Sequence, residues 1–122
     1  MQLQVEHVTD LAVCDRVLFI DADMSCAEPF DFSEISAIKD DSYTSHAMSP
    51  TAMLHAYRQM YGKEAPPAFL LRIRGYDFGL GDSLSAQAAA NLDAATALVT
   101  ELCKSSSLQN WRDFADIRVT AE

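Results

Sequence analysis

The chain predicts an α/β domain built as a three-layer sandwich, and three observations predict it. Val17-Leu18-Phe19-Ile20-Asp21 is a run of four apolar side chains stopped by an acid, which suits a strand covered on both faces. Ala68-Phe69-Leu70-Leu71-Arg72-Ile73-Arg74-Gly75 reads as a second apolar strand with an alternating end. Ser49-Pro50 and Leu84-Ser85 each open a stretch with helical spacing of apolar residues. With a further strand at the start of the chain, the order becomes strand, strand, helix, strand, helix, which packs as helices around a sheet.

Composition sets the outer bounds. The 122 residues suffice for one domain, 1–122, and a hydrophobic content of 49 % with 22 % charged residues is ordinary for a globular protein. The formal net charge of −9 disfavours nucleic acid and anionic membrane as partners, because both repel an acidic surface. The three cysteines, Cys14, Cys26 and Cys103, lack CxxC spacing. No signal peptide is legible, so they read as reduced thiols of a cytoplasmic protein. No apolar run approaches the ~20 residues that span a bilayer.

The elements follow in order. Residues 2–8 alternate through Leu3 and Val5 and read as a half-buried strand, with a helical turn over residues 9–14 capped by Thr9 or Asp10. The run 17–21 is then the central strand. Pro29 forbids a helix around Glu28, and Phe30, Phe32, Ile35 and Ile38 suit a strand or loop across the sheet edge. The acids Asp31, Glu34, Asp40 and Asp41 read as surface charge. Ser49 as hydroxyl cap and Pro50 at the first helical position start a helix. It runs to about Tyr61, with Met53, Leu54, Tyr57, Met60 and Tyr61 on one stripe and Gly62 as a left-handed stop. In the strand 68–75, Leu71 and Ile73 point inward and Arg72 and Arg74 outward, which suits a position nearer the edge. The glycine-rich turn from Gly75 to Gly81 lacks both GxGxxG and GxxxxGK[ST], so it carries no phosphate-binding signature. A long helix to about Lys104 places Ala88, Leu92, Ala95, Val99 and Leu102 on a core face. The tail 108–122, with Trp111, Phe114 and Ile117, reads as a short amphipathic helix that packs back or frays.

Two residues stand out chemically. Ligand sites of α/β sheets lie beyond the carboxyl ends of central strands, where Asp21 sits beside Ala22, a residue too small to cover it. Its bland reading is a helix or loop cap. His46 lies in the loop before the Ser49 helix, where the helix dipole disfavours the charged imidazole and leaves a neutral ring able to bind metal. Its bland reading is a hydrogen-bonded structural residue, and His7 and His55 read as structural. The strand-end rule brings Asp21 and His46 to one edge of the sheet, within metal-bridging reach.

Residues 15–102 resemble the hydrogenase maturation endopeptidases, which trim the large subunit of nickel–iron hydrogenases. The resemblance rests on Val17-Leu18-Phe19-Ile20-Asp21-Ala22, on Thr44-Ser45-His46 with Ser49-Pro50, and on Pro66-Pro67. It extends through the strand from Phe69 to Arg74 ending in Gly75, and Leu84-Ser85 before an Ala-rich helix. It implies an α/β/α fold with a mostly parallel or mixed central sheet. It also implies a metal held by a Glu, an Asp and a His, the Asp mapping to Asp21 and the His to His46. The implied partner is the nickel–iron hydrogenase large-subunit precursor, and the implied reaction is removal of its C-terminal extension. The metal, nickel in the precursor, positions that extension and polarises a carbonyl or a water, with Asp21 as the catalytic ligand. Nickel suits mixed imidazole and carboxylate donors, and zinc competes at such a site.

The chain departs from the family at its start. The family's first strand and Gly-Asn…Gly-Asp loop, which supply the acidic third ligand, have no counterpart here, and Glu6 lies in the wrong context to replace it. The expectations are therefore an N-terminally incomplete domain that fails alone to cleave precursor. Its uncovered sheet edge recruits a second copy as a homodimer, exchanges segments or aggregates. A non-catalytic precursor-binding protein with a degenerate metal site is the alternative function. Asp21-Ala22-Asp23-Met24 also imitates two-component receiver domains, but the early acidic pair and late strand-end lysine of receivers are missing.

Overall fold

The computed structural model describes residues 5–37, 49–76 and 85–120. His46, Ile38, Asp40, Asp41 and most of the glycine-rich turn lie outside them, as do residues 2–4. In chain order the elements are a 3₁₀ helix Val5–Val13, β1 Val17–Asp23, β2 Phe30–Ile35, α1 Pro50–Tyr61, β3 Ala68–Arg74, α2 Ala86–Lys104 and α3 Leu108–Thr120. The result is a mixed α/β domain with a three-stranded sheet.

The sheet order is β1-β3-β2. Val17 N–H donates to Pro67 O at 2.9 Å near the amino ends of β1 and β3, and Gly75 N–H donates to Asp23 O at 3.0 Å at their carboxyl ends. These two strands are therefore parallel. Arg74 N–H donates to Pro29 O at 3.2 Å, joining the end of β3 to the start of β2, so that pair is antiparallel. The order reverses two expectations. The apolar run of β1 lies at an edge of the described sheet, and the arginine-bearing β3 is its centre. Centrality follows the neighbours a strand acquires, and β3 acquires one on each side despite its polar alternate positions. β1 also runs two residues past Asp21, because Asp23 still bonds to Gly75.

The start of the chain corrects a third expectation. Residues 5–8 belong to the 3₁₀ helix rather than to a strand. Side chains three apart stack on one face of such a helix, and Val8 and Leu11 obey this spacing, both buried. Period-2 spacing over so few residues competes poorly with that burial.

The chain divides into two compact units. The first, residues 1–19 and 34–69, holds the 3₁₀ helix and α1, which pack on each other. Its core is Val8, Leu11, Phe19, Ala52, Met53, Leu54, Tyr57, Ala68 and Phe69. Ser49 Oγ accepts from Ala52 N–H at 3.1 Å to cap α1, and Gly62 ends it at φ 68° with its N–H on Arg58 O. Met60 and Tyr61 were expected on the buried stripe but are 56 % and 40 % exposed. They fall in the last turn of the helix.

The second unit, residues 20–33 and 70–122, holds α2 and α3 with the carboxyl half of β1 and most of β2. Cys26, Phe32, Leu71, Ala95, Leu102, Trp111 and Ala115 are buried there. Ser85 caps α2 by accepting from Ala88 N–H at 3.1 Å, and Trp111 Nε1 donates to Leu102 O at 3.1 Å, tying α3 to the end of α2. On α2 the buried position is Asn91 rather than Leu92, which is 42 % exposed. Asn91 tolerates burial because its Nδ2 donates to Arg74 O at 3.2 Å and to Tyr76 Oη at 3.1 Å.

Candidate functional site

Alternation along β1 sends Asp21 and Asp23 to one face, and β3 sends Arg72 and Arg74 to one face by the same rule. The four residues, with Asp31 of β2, all belong to the second unit. Arg72 is the hub. Its Nη2 donates to Asp31 Oδ2 at 2.8 Å and its Nη1 to Asp23 Oδ2 at 3.5 Å. Asp23 Oδ1 also accepts from Ser25 N–H and Ser25 Oγ, both at 2.7 Å. Those bonds from Ser25, with Arg72 beside them, hold the Asp23 carboxyl below its ordinary range. The bond to Asp31 raises Arg72 further above its own.

Arg74 Nη1 donates to Cys26 O at 2.7 Å, and its guanidinium lies 5.0 Å from the Tyr76 ring centroid. Nε of both arginines is buried with no hydrogen-bond partner among the described residues. The Cys26 thiol sits under this network, and burial, reinforced by the Asp23 charge, pushes its pKa up. That thiol is a packing group, since the thiolate is the reactive form.

Asp21 is different from its neighbours. It is exposed on β1, as is Ala22, and among the described residues its carboxylate joins no ion pair. Asp21 was expected just beyond the carboxyl end of a central strand, and the structure places it otherwise. β1 is an edge strand of the described sheet, and Asp21 lies within it, two residues before its end. His46, the expected partner, falls outside the described residues, so its separation from Asp21 is not described. Among the described residues no three His, Cys, Asp or Glu side chains group as a metal centre. His55 lies half-buried on α1 with Nδ1 unbonded among the described residues, and His7 lies on the 3₁₀ helix.

The sequence reading missed Asp31 and the linking role of Arg72. A signal was present: two arginines on one side of an otherwise apolar strand require acids on neighbouring strands, and Asp31 stands between two phenylalanines at the matching alternation. A cavity of about 450 Å³ lies between the end of α2 and α3, lined by Glu101, Lys104, Ser105, Asn110, Asp113 and Phe114. Lys104 Nζ lies 3.5 Å from Glu101, which leaves Asp113 as the cavity's other charge, and the cavity contains none of the residues singled out above.

No family model, curated protein or solved structure matches this chain. No helix among the described residues is long and apolar enough to cross a membrane.

Proposed function

We propose that this chain is a hydrogenase-maturation-endopeptidase-like protein acting on the large-subunit precursor of a nickel–iron hydrogenase. The reading comes from the sequence resemblance, and one observation supports it. Among the described residues Arg72 engages Asp23 and Asp31, whereas Asp21 is exposed on β1 and joins no ion pair. An exposed carboxylate beside a small residue can approach a metal carried by another chain without first breaking an internal ion pair.

In this reading Asp21 and His46 seat the precursor's nickel through one carboxylate and one imidazole, a donor set that also suits zinc. Seating that metal presents the adjoining C-terminal extension for hydrolysis, with the metal supplying Lewis acidity. A third acidic donor completes the family's set. The second form of the same reading is capture of the precursor without cleavage.

The test is incubation of the purified chain with nickel-loaded precursor, followed by intact mass of the large subunit and co-purification of the two chains. Asp21→Asn and His46→Gln are expected to lower cleavage or capture by at least ~10-fold, since even groups supporting metal ligands matter by ~10–100-fold. Asp23→Asn is expected to lower it far less. Capture without mass loss identifies the binding form. Full activity in Asp21→Asn, or neither capture nor cleavage by the parent chain, overturns the reading.

A further inference from the structure

We infer that the outer edge of β1, at residues 20–24, is a docking site for an extended segment of a partner chain that alternates apolar and basic residues. Among the described residues β1 is the terminal strand in the order β1-β3-β2. Its residues 17 and 23 bond inward to the β3 side, so by alternation the amide groups of Ile20 and Ala22 point outward. Such a row of donors and acceptors is a template for an added strand.

The side chains specify the occupant. Ile20 is 57 % exposed and Met24 53 %, and Ala22 between them is exposed. Ile20 and Ala22 form an apolar stripe on one face of the edge, continued by Met24. Asp21 points to the other face, exposed and without an ion pair among the described residues. A strand laid alongside therefore places apolar side chains over Ile20 and Ala22 and a Lys or Arg beside Asp21. No lysine or proline guards the strand between Val17 and Asp23, and its charges are the acids Asp21 and Asp23, which repel an acidic edge and admit a basic one. A formal net charge of −9 favours a basic partner over a second copy of this chain, whose own edge would bring Asp21 and Asp23 against like charges. The inference stands apart from the peptidase reading, because it requires no metal.

The probe is a fluorescein-labelled peptide, Gly-Val-Lys-Val-Arg-Val-Gly, titrated into the full chain in EDTA with anisotropy as readout. Saturable binding is expected, weakened by salt and at least roughly tenfold weaker for the Val/Glu counterpart. Backbone N-methylation of the peptide at alternate residues tests strand addition without altering the protein. One methylation phase is expected to weaken binding roughly tenfold and the other to leave it near the parent value. Amide resonances of Ile20 and Ala22 shift on binding, and Ala22→Pro, checked for folding by circular dichroism, loses it. Equal binding of the Val/Glu peptide, indifference to both methylation phases, or no binding overturns the proposal. So does a peptide-free dimer in light scattering with the Ile20 and Ala22 amides already protected, which would assign the edge to a second copy. Loss of precursor processing with peptide binding intact defeats only the peptidase reading.

Discussion

Arg72 and Asp31 meet at 2.8 Å across the antiparallel β3–β2 pair, and the other arm of the same guanidinium reaches Asp23 of β1. One side chain thus links all three strands of the sheet. Arg72 is 37 % exposed at its side chain and the two acids 22 % and 24 %, so the network is neither a screened surface pair nor a fully desolvated one. Arg72→Met leaves two half-buried carboxylates facing each other. A loss of about 1–2 kcal/mol is expected, between the values for surface and buried pairs, read as a lower urea midpoint at neutral pH. Lysine at this position recovers part of it, since it reaches one acid and not both.

Asp23 sets an acid limb. Its folded carboxyl lies below the ordinary value of 3.8 because Ser25 donates to it twice and Arg72 is near. The unfolded chain therefore binds the proton more readily than the folded one as pH falls toward 3.8. The stabilisation is fully present above that value and disappears as pH drops through the lower folded pKa. In Asp23→Asn the stability curve is expected to be flatter below about pH 4 than in the parent. An unchanged slope in urea melts between pH 2 and 5 would refute this assignment.

Helix α1 owes its bounds to its two ends. Gly62 sits at φ 68° with open space where a Cβ would project, so Gly62→Ala meets only backbone strain, about 1 kcal/mol. Ser49→Ala removes the cap on Ala52 N–H and costs about 1 kcal/mol. The sites stand a helix length apart, so the two losses are expected to add within about 0.5 kcal/mol in the double variant. Thermal melts of the four proteins measure this directly.

Trp111 is the single tryptophan of the chain and is 8 % exposed, so its fluorescence reports on α3. Trp111→Phe keeps an aromatic filling but removes the indole bond to Leu102 O, which keeps the Ser105 N–H at 3.2 Å. A loss of about 1 kcal/mol is expected, the net worth of one hydrogen bond, with amide exchange in α3 accelerating before that in α2. Uniform acceleration across both helices would mean that α3 does not open separately.

The sequence by itself determined the local elements of this protein. Ser49-Pro50 and Gly62 bound α1, Ser85 starts α2 and Lys104 ends it, and Arg72 and Arg74 alternate with Leu71 and Ile73 along β3. Each of these follows from groups within about four residues of one another, where cap bonds and side-chain periodicity act. Tertiary structure alone decided which strand became central and what became of the charges. β1 carries the more apolar run yet lies at the edge of the described sheet, because sheet order depends on which backbone edges meet after loop closure. Arg72 finds Asp23 and Asp31 across 49 and 41 residues of chain, and that meeting leaves Asp21 unpaired among the described residues. No window of the sequence contains those three residues together, so the availability of Asp21 is a property of the folded sheet.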